Sequence, residues 1–384
     1  MRVSLAVFGV FHHFELAHQL RQHGHLQKIY STFPWFRLKR EGLPREFVET
    51  FPWYHTGALA LARYGLYPSR WTETTDWWSG LVFDAWLTRR IPDTDALIAI
   101  AGAGLAAGRR VQSRGGKYIC DRGSSHARYR SRILQEEHAR WWIPLRTEDE
   151  RDTKREEEQY RISDCITVPS QYAKRSFIAE GIDPNKLRVI PYGVRLDAFR
   201  PVESPLQGKF DLLYVGQVNL NKGIQYLLDA FARLRHPEKR LRIAGVVHPE
   251  IRKLLATWPS TQVEYLGYLP PSQLVHYFSS SHAFVLPSID DGFGMVQAQA
   301  MACGCPVIAT TNTGAEDLFT DGKEGFIVPI RDPQALADRM QQLADDPQLQ
   351  QRMSAAALER VRSLGGWQQY GDRWVQLLTE LCAR

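Results

Sequence analysis

Short apolar runs rich in Val and Ile alternate along the chain with stretches whose apolar residues recur every three to four positions. The first half carries six such runs, Val3–Phe8, Leu26–Tyr30, Ala96–Ala101, Lys117–Cys120, Cys165–Pro169 and Leu187–Ile190. The second carries six more, Asp211–Val215, Leu241–Ala244, Val263–Leu266, Ala283–Leu286, Pro306–Ala309 and Phe326–Val328. Runs of this length that alternate with helical patterns predict parallel strands covered by helices on both faces. One helix shows the logic: after Lys222, the residues Ile224, Leu227, Leu228, Phe231 and Leu234 form a single apolar stripe suited to a sheet.

The two sets of strands meet near Pro191-Tyr192-Gly193, followed by Phe199-Arg200-Pro201, a composition that suits a hinge. The chain therefore reads as a first domain over residues 1–190, a second over 191–366, and a final helix over 367–384. Gly365-Gly366 precede that helix, which is expected to cross back onto the first domain. Between Phe33 and Trp86 the pattern breaks at Pro34, Pro44, Pro52 and Pro68, as in an irregular elaboration of the first domain. The first apolar run is short and is interrupted by His12-His13, which fits a buried strand rather than a signal peptide.

At 384 residues the chain is long enough for two cores. No run reaches the ~18 uncharged apolar residues of a membrane-spanning helix. Cys120, Cys165, Cys303, Cys305 and Cys382 show neither zinc-ligand nor redox spacing and read as free thiols of a reducing compartment. The expected location is the cytoplasm, with peripheral contact at the inner face of the membrane left open. Net charge is +6, and the excess sits mainly in residues 1–185, with 27 basic against 22 acidic side chains. Eight of the eleven Trp lie there too: Trp35, Trp53, Trp71, Trp77, Trp78, Trp86, Trp141 and Trp142. Basic and aromatic residues together suit core anchors, a sugar platform or a membrane-surface face. No nucleic-acid motif accompanies the charge, so a nucleic-acid partner is not expected.

Open parallel sheets bind ligands at the carboxyl ends of their strands. Three loops there carry suitable chemistry. In Gly216-Gln217-Val218-Asn219-Leu220-Asn221-Lys222-Gly223, Gly216 permits close approach and Lys222 opens a helix, a combination suited to a diphosphate. In Gly267-Tyr268-Leu269-Pro270, backbone groups can meet a base edge. In Pro287-Ser288-Ile289-Asp290-Asp291-Gly292-Phe293-Gly294-Met295-Val296, Gly292 and Gly294 offer N–H groups at a helix N-terminus. There Asp291 can accept sugar hydroxyls or cap the helix, and Gln299 follows eight residues later.

This order of loops, with Ile190-Pro191-Tyr192-Gly193-Val194 and Met301-Ala302-Cys303-Gly304-Cys305-Pro306-Val307-Ile308-Ala309, resembles glycosyltransferase family 4, retaining enzymes of the GT-B fold. The similarity covers most of residues 160–345. It implies an α/β architecture of two Rossmann-like parallel-sheet domains facing each other across a cleft. The family signature is two glutamates separated by seven residues, on the transferred sugar and the ribose; here they become Asp291 and Gln299. The family's lysine on the donor diphosphate is matched by Lys222. Its arginine is replaced by Gln217, or by Asn221 at the alternative position. Uncharged Gln299 makes a weaker ribose contact than a carboxylate. The resemblance also places a sugar-contacting histidine near His126, with Arg122 as a second polar candidate. Gly9, His12 and His13 fall on the loop that borders diphosphate and acceptor.

The resemblance implies transfer of a hexose from a UDP- or GDP-sugar to a glycan, lipid or small-molecule acceptor. Asp291, Lys222 and His126 are the catalytic candidates. Gly216, Gln217, Asn221, Tyr268, Leu269, Gly292, Phe293, Gly294, Met295, Val296 and Gln299 are the donor-binding candidates. The acceptor side is Gly9, His12, His13 and Arg122. No metal or other cofactor is expected. A nucleotide-sugar-binding pseudoenzyme and a sugar-nucleotide epimerase share these features. A different class is suggested by Gly102-Ala103-Gly104 with Gly108 and, nineteen residues beyond Gly102, Asp121: the local fingerprint of an NAD- or FAD-dependent oxidoreductase. Against it, at least two strands precede the fingerprint. Asp93-Thr94-Asp95 resembles a metal-binding aspartate pair but lies before its strand and reads as a turn.

Overall fold

The structure is a computed structural model and describes residues 1–54, 56–57, 72–145, 149–258 and 260–383; Pro68 and Trp71 lie outside these. Seven strands form the first sheet: β1 (Val3–Val7), β2 (Leu26–Ser31), β3 (Val48–Thr50), β4 (Ala96–Ile100), β5 (Lys117–Asp121), β6 (Cys165–Val168) and β7 (Leu187–Val189). Six form the second: β8 (Phe210–Val215), β9 (Lys239–Ala244), β10 (Val263–Gly267), β11 (Ala283–Leu286), β12 (Val307–Thr310) and β13 (Gly325–Val328). Every expected run is a strand, with ends displaced by a residue or two. Strand β3 was not expected; it is only three residues long and pairs at the sheet edge with β2.

The orders are β3-β2-β1-β4-β5-β6-β7 and β10-β9-β8-β11-β12-β13, and adjacent strands pair in parallel. Each order reverses once, between β1 and β4 and between β8 and β11, where connections leave in opposite directions and open a crevice. The loops after β8 and β11 therefore flank one crevice, which is why Lys222 and Asp291 meet although distant in sequence.

Burial follows the stripes read from the sequence. In helix Ile224–Arg233, Ile224, Leu227, Leu228 and Phe231 are buried against the second sheet. Removing such side chains from water contributes about 1.5–3 kcal/mol each. The final helix, Trp367–Cys382, does cross back: Tyr370, Trp374, Leu377 and Leu378 join the core of β1 and helix His13–Gln22. Gly371 permits the approach, since a Cβ there would stand 2.4 Å from Gln19 Cβ.

A second crossing was not anticipated. Helix Ala127–Arg140 lies in the first half of the chain, yet Ile133 and Leu134 are buried in the core of the second sheet. Its buried Glu137 accepts hydrogen bonds from Gln225 Nε2 at 2.8 Å, Tyr226 Oη at 2.8 Å and Arg331 Nε at 2.7 Å. The Trp-rich character of the first half divides: Trp86 stacks on Phe51 and Phe83, and Trp141 packs on Tyr226 and Trp258. Trp53, Trp78 and Trp142 are exposed. The five cysteines are unpaired thiols. Among the described residues no helix is long and apolar enough to cross a membrane.

Candidate active site

The loop after β8 is shaped by Gly223. Its φ is +67°, and a Cβ there would stand 1.9 Å from the carbonyl oxygen of Pro287. Only glycine lets the two loops close to this distance. Asn219 Oδ1 accepts the N–H of Lys222 at 3.1 Å, fixing the turn, and Ile289 N–H donates to the Asn221 carbonyl at 2.9 Å. The loop after β11 is held from its other side by Thr310 Oγ1 on the Ser288 carbonyl at 2.6 Å and by Asn312 Nδ2 on the Ile289 carbonyl at 3.0 Å.

This bracing brings Lys222 Nζ to 2.5 Å from Asp291 Oδ2. The other oxygen of Asp291 accepts the N–H of Gly294 at 2.9 Å and of Phe293 at 3.4 Å. Asp291 thus ties the turn that leads into helix Met295–Ala302, whose N-cap position is Gly294 and carries no side-chain cap, and it faces the cleft. Its carboxylate occupies an anion position made of one ammonium and the N–H groups of a helix N-terminus. Gly294 has φ +65°, a left-handed conformation that glycine adopts freely where the chain turns into the helix.

Two cavities flank this point. One, of about 390 Å³, is lined by Lys222, Asp291, Gln217, Asn221, Arg122 and Arg130. The other, of about 430 Å³, is lined by Tyr268, Leu269, Met295, Gln299 and, from the first half, His12 and Phe14. Between them the halves touch, since a Cβ on Gly292 would stand 2.4 Å from the Gly123 carbonyl. The expected diphosphate groups and the expected nucleoside groups therefore line two cavities on either side of that contact, at the carboxyl ends of the second sheet. Phe293 is buried against Tyr192, with ring centroids 5.2 Å apart, and serves packing. Gly216 turns its carbonyl onto Gly245, and Val296 is half-buried on the helix beyond Met295; neither lines the two cavities.

His126 is not where the sequence reading put it. Its ring Nδ1 accepts the N–H of Arg128 at 3.2 Å, capping helix Ala127–Arg140, and the imidazole lies among Tyr160 and Phe177. Burial pushes its pKa down to about 4. The need of a helix start for an acceptor turned the ring inward. Arg122 does line the cleft, paired with Glu156 at 2.6 Å. Gly9 shapes the first loop with φ +66°, its N–H on Thr32 Oγ1 at 2.9 Å.

His12 lines the second cavity, and its Nε2 is 2.5 Å from Asp121 Oδ2. Asp121 also accepts Thr167 Oγ1 at 2.7 Å, and His13 Nε2 lies 3.3 Å from it. Burial opposes ionisation of Asp121, but His12, His13 and Thr167 hold its pKa below the usual carboxylate range. Burial, with His12 beside it, lowers His13 to about 3. These three residues also form a group, among the described residues, whose ligand-type atoms lie within 4.8 Å of one another and could hold a metal ion.

The dinucleotide fingerprint is filled from within. The N–H groups of Ala106 and Ala107, at the start of helix Leu105–Ser113, donate to the Asp84 carboxylate at 2.8 and 3.1 Å. Gly102 N–H donates to Gln159, Gly108 packs on the Tyr118 ring, and Asp121 is engaged as above. The helix-start N–H groups that a pyrophosphate would use are met by Asp84, which argues against the oxidoreductase reading. Asp95 binds the N–H and guanidinium of Arg2, and Asp93 pairs with Arg114, at the amino end of β4.

Sequence reasoning missed Asp290. Its Oδ1 accepts Ser125 Oγ and Tyr172 Oη, each at 2.6 Å, and its Oδ2 lies 3.6 Å from Arg130 Nε. Nothing local in the sequence marks these partners, which come from the first half.

Residues 10–198 match the family described as Glycosyltransferase Family 4, and residues 197–360 match Glycosyl transferases group 1. A D-inositol 3-phosphate glycosyltransferase of Streptomyces scabiei is 34% identical over 208 residues, 48% of this chain and 46% of that protein. One from Frankia alni is 32% identical over 206 residues, 48% and 50% of the two chains. The chain thus aligns with about half the length of the curated relatives it matches. Among solved structures, sucrose-phosphate synthase from Thermosynechococcus elongatus superposes with a TM-score of 0.74 at 22% identity, covering 100% of this chain and 99% of that one. Anabaena HepE in complex with UDP gives 0.71 at 16% identity, covering 99% and 100%. Two facing parallel-sheet domains and these neighbours establish the GT-B fold.

Proposed function

The chain belongs to glycosyltransferase family 4, and from that premise we propose that it transfers a hexose from a UDP- or GDP-sugar to an acceptor hydroxyl with retention of configuration. The observation that carries this reading is the convergence of Lys222, the Gly294 N–H and Asp291 in the crevice between β8 and β11.

In this reading the donor diphosphate takes the anion position now filled by the Asp291 carboxylate. The Asp291 side chain turns to the hydroxyls of the transferred sugar. Lys222 and the helix N-terminus stabilise the charge that develops on the leaving diphosphate, the term that dominates such reactions. The bond from the anomeric carbon to the phosphate oxygen breaks, its electron pair leaves with the diphosphate, and the acceptor oxygen bonds to that carbon. The departing phosphate takes the acceptor proton. Tyr268 and Leu269 border the base and Gln299 the ribose, through the cavity they share. The leaving-group charge is met by Lys222 and backbone dipoles, so the reaction needs no metal or other cofactor. The acceptor reaches the cleft past His12 and Arg122. D-inositol 3-phosphate in the names of the Streptomyces and Frankia relatives makes a phosphorylated polyol a first acceptor to try. The cytoplasm supplies nucleotide sugars and keeps the five thiols reduced.

The test is release of nucleoside diphosphate from a panel of UDP- and GDP-sugars with glycan, lipid and polyol acceptors. Acceptor-dependent release with formation of an α-linked product from an α-linked donor is expected. Nucleotide binding without release by any pair would overturn transfer in favour of a binding protein, and a changed donor with no acceptor consumed would make it an epimerase.

A further inference from the structure

Asp290 stands next to Asp291, and its carboxylate is buried. Two hydroxyls donate to Oδ1, Ser125 Oγ and Tyr172 Oη, each at 2.6 Å. Both belong to the first half of the chain. Arg130 lies 3.6 Å from Oδ2 on helix Ala127–Arg140, which is packed on the second half. Around this carboxylate the halves make further contacts. Ser170 Oγ donates to the Gly292 carbonyl at 2.6 Å, and Gln171 N–H donates to Asp317 Oδ2 at 2.8 Å. Gly123 lies against Gly292.

A buried carboxylate is costly unless its lone pairs are met. Here two of the donors, Ser125 Oγ and Tyr172 Oη, come from the first half of the chain. A state in which the halves part would take both hydroxyls from Asp290 and leave it to water. Its hydrogen bonds therefore discriminate between open and closed states, which is what a closure device requires. Closure also fixes the residue that follows it: with Asp290 held by Ser125 and Tyr172, the backbone of Asp291 and Gly292 is held against the first domain.

We propose that Asp290 is the latch of domain closure and a positioning residue for Asp291, with Ser125 and Tyr172 as its keepers. Tyr172 acts on the reaction through Asp290 and does not touch the donor. This role rests on the transfer reaction proposed above.

The experiment compares wild type with Tyr172→Phe, Asp290→Asn and the double variant, each checked for a cooperative melt. Turnover is measured with the active donor, UDP or GDP affinity by calorimetry, and compaction on nucleotide addition by small-angle scattering. Tyr172→Phe should lower kcat about 10-fold or more, as misplacement of a reacting group does. Its nucleotide affinity should stay within about 3-fold, because the nucleotide groups lie on the second half. The double variant should be no slower than the worse single variant, since both changes remove one contact. Nucleotide-induced compaction should be reduced in all three. Unchanged kcat in both single variants, or losses that multiply in the double variant, would overturn the latch. If no donor turns over even in wild type, transfer fails, but scattering still decides: equal compaction in wild type and Tyr172→Phe overturns the latch.

Discussion

Lys222 and Asp291, 69 residues apart, form an ion pair with 2.5 Å between Nζ and Oδ2. Gly223 makes this pair possible by admitting the Pro287 carbonyl where any side chain would stand. The pair has a functional consequence. The cation and helix N-terminus suited to a diphosphate are engaged by the Asp291 carboxylate, so in the proposed reaction donor binding displaces it.

Displacement predicts opposite effects of one substitution on binding and turnover. Asp291→Asn keeps an oxygen for the Gly294 N–H but removes the charge that competes for Lys222. UDP or GDP affinity should rise about 3- to 10-fold, as expected for freeing one charge-assisted contact, while kcat falls. Calorimetry beside a turnover assay checks it; weaker nucleotide binding in the variant would speak against displacement.

Gln299 lines the cavity that also holds Tyr268, Leu269 and Met295. Gln299→Glu adds a charge-assisted acceptor for ribose hydroxyls and should tighten nucleotide binding about 5-fold. A 2′,3′-dideoxy nucleotide should gain nothing. Equal gains for both nucleotides would place Gln299 away from the ribose.

His126 supports stability rather than sugar contact. Burial lowers its pKa from 6.5 to about 4, so the native state resists protonation. Its contribution is full above pH 6.5 and is lost progressively as pH falls toward 4. His126→Asn retains a capping acceptor and removes this titration. The melting temperature of the variant should therefore fall less than that of wild type between pH 7 and 4.5. Its kcat at neutral pH should stay within about 3-fold, as for a side chain that makes no transition-state contact.

Glu137 fastens helix Ala127–Arg140 to the second half through Gln225, Tyr226 and Arg331. Glu137→Ala leaves the Arg331 guanidinium without this carboxylate and should destabilise the protein by about 3–5 kcal/mol. Urea denaturation measures this directly, and a loss below about 1 kcal/mol would be that of a surface pair.

Much of this was legible locally. The strands declared themselves as short Val- and Ile-rich runs, and Lys222, Asp291 and Gly294 sit in loops whose glycines and charges lie close together in sequence. What was hidden depends on distant partners. Asp290 meets Ser125 and Tyr172 across 165 and 118 residues, and no period or spacing encodes those contacts. Helix Ala127–Arg140 falls within residues 1–190 by chain order, whereas Ile133 and Leu134 are buried in the other core. His126 was misplaced because a loop at a strand's carboxyl end can point either way. Gly102, Gly104 and Gly108 gave the right turn and the wrong ligand, since Asp84 fills the helix N-terminus.

Lys222, beside the start of helix Met295–Ala302, is the proposed anchor of a nucleoside diphosphate. Thermal stability of wild type and Lys222→Ala with UDP, GDP and their sugars tests it most directly, because binding to the native state raises its melting temperature. At least one of these nucleotides should stabilise the wild type, and that shift should be largely lost in Lys222→Ala. A wild type stabilised by none of them, or a shift that survives intact in Lys222→Ala, would contradict it.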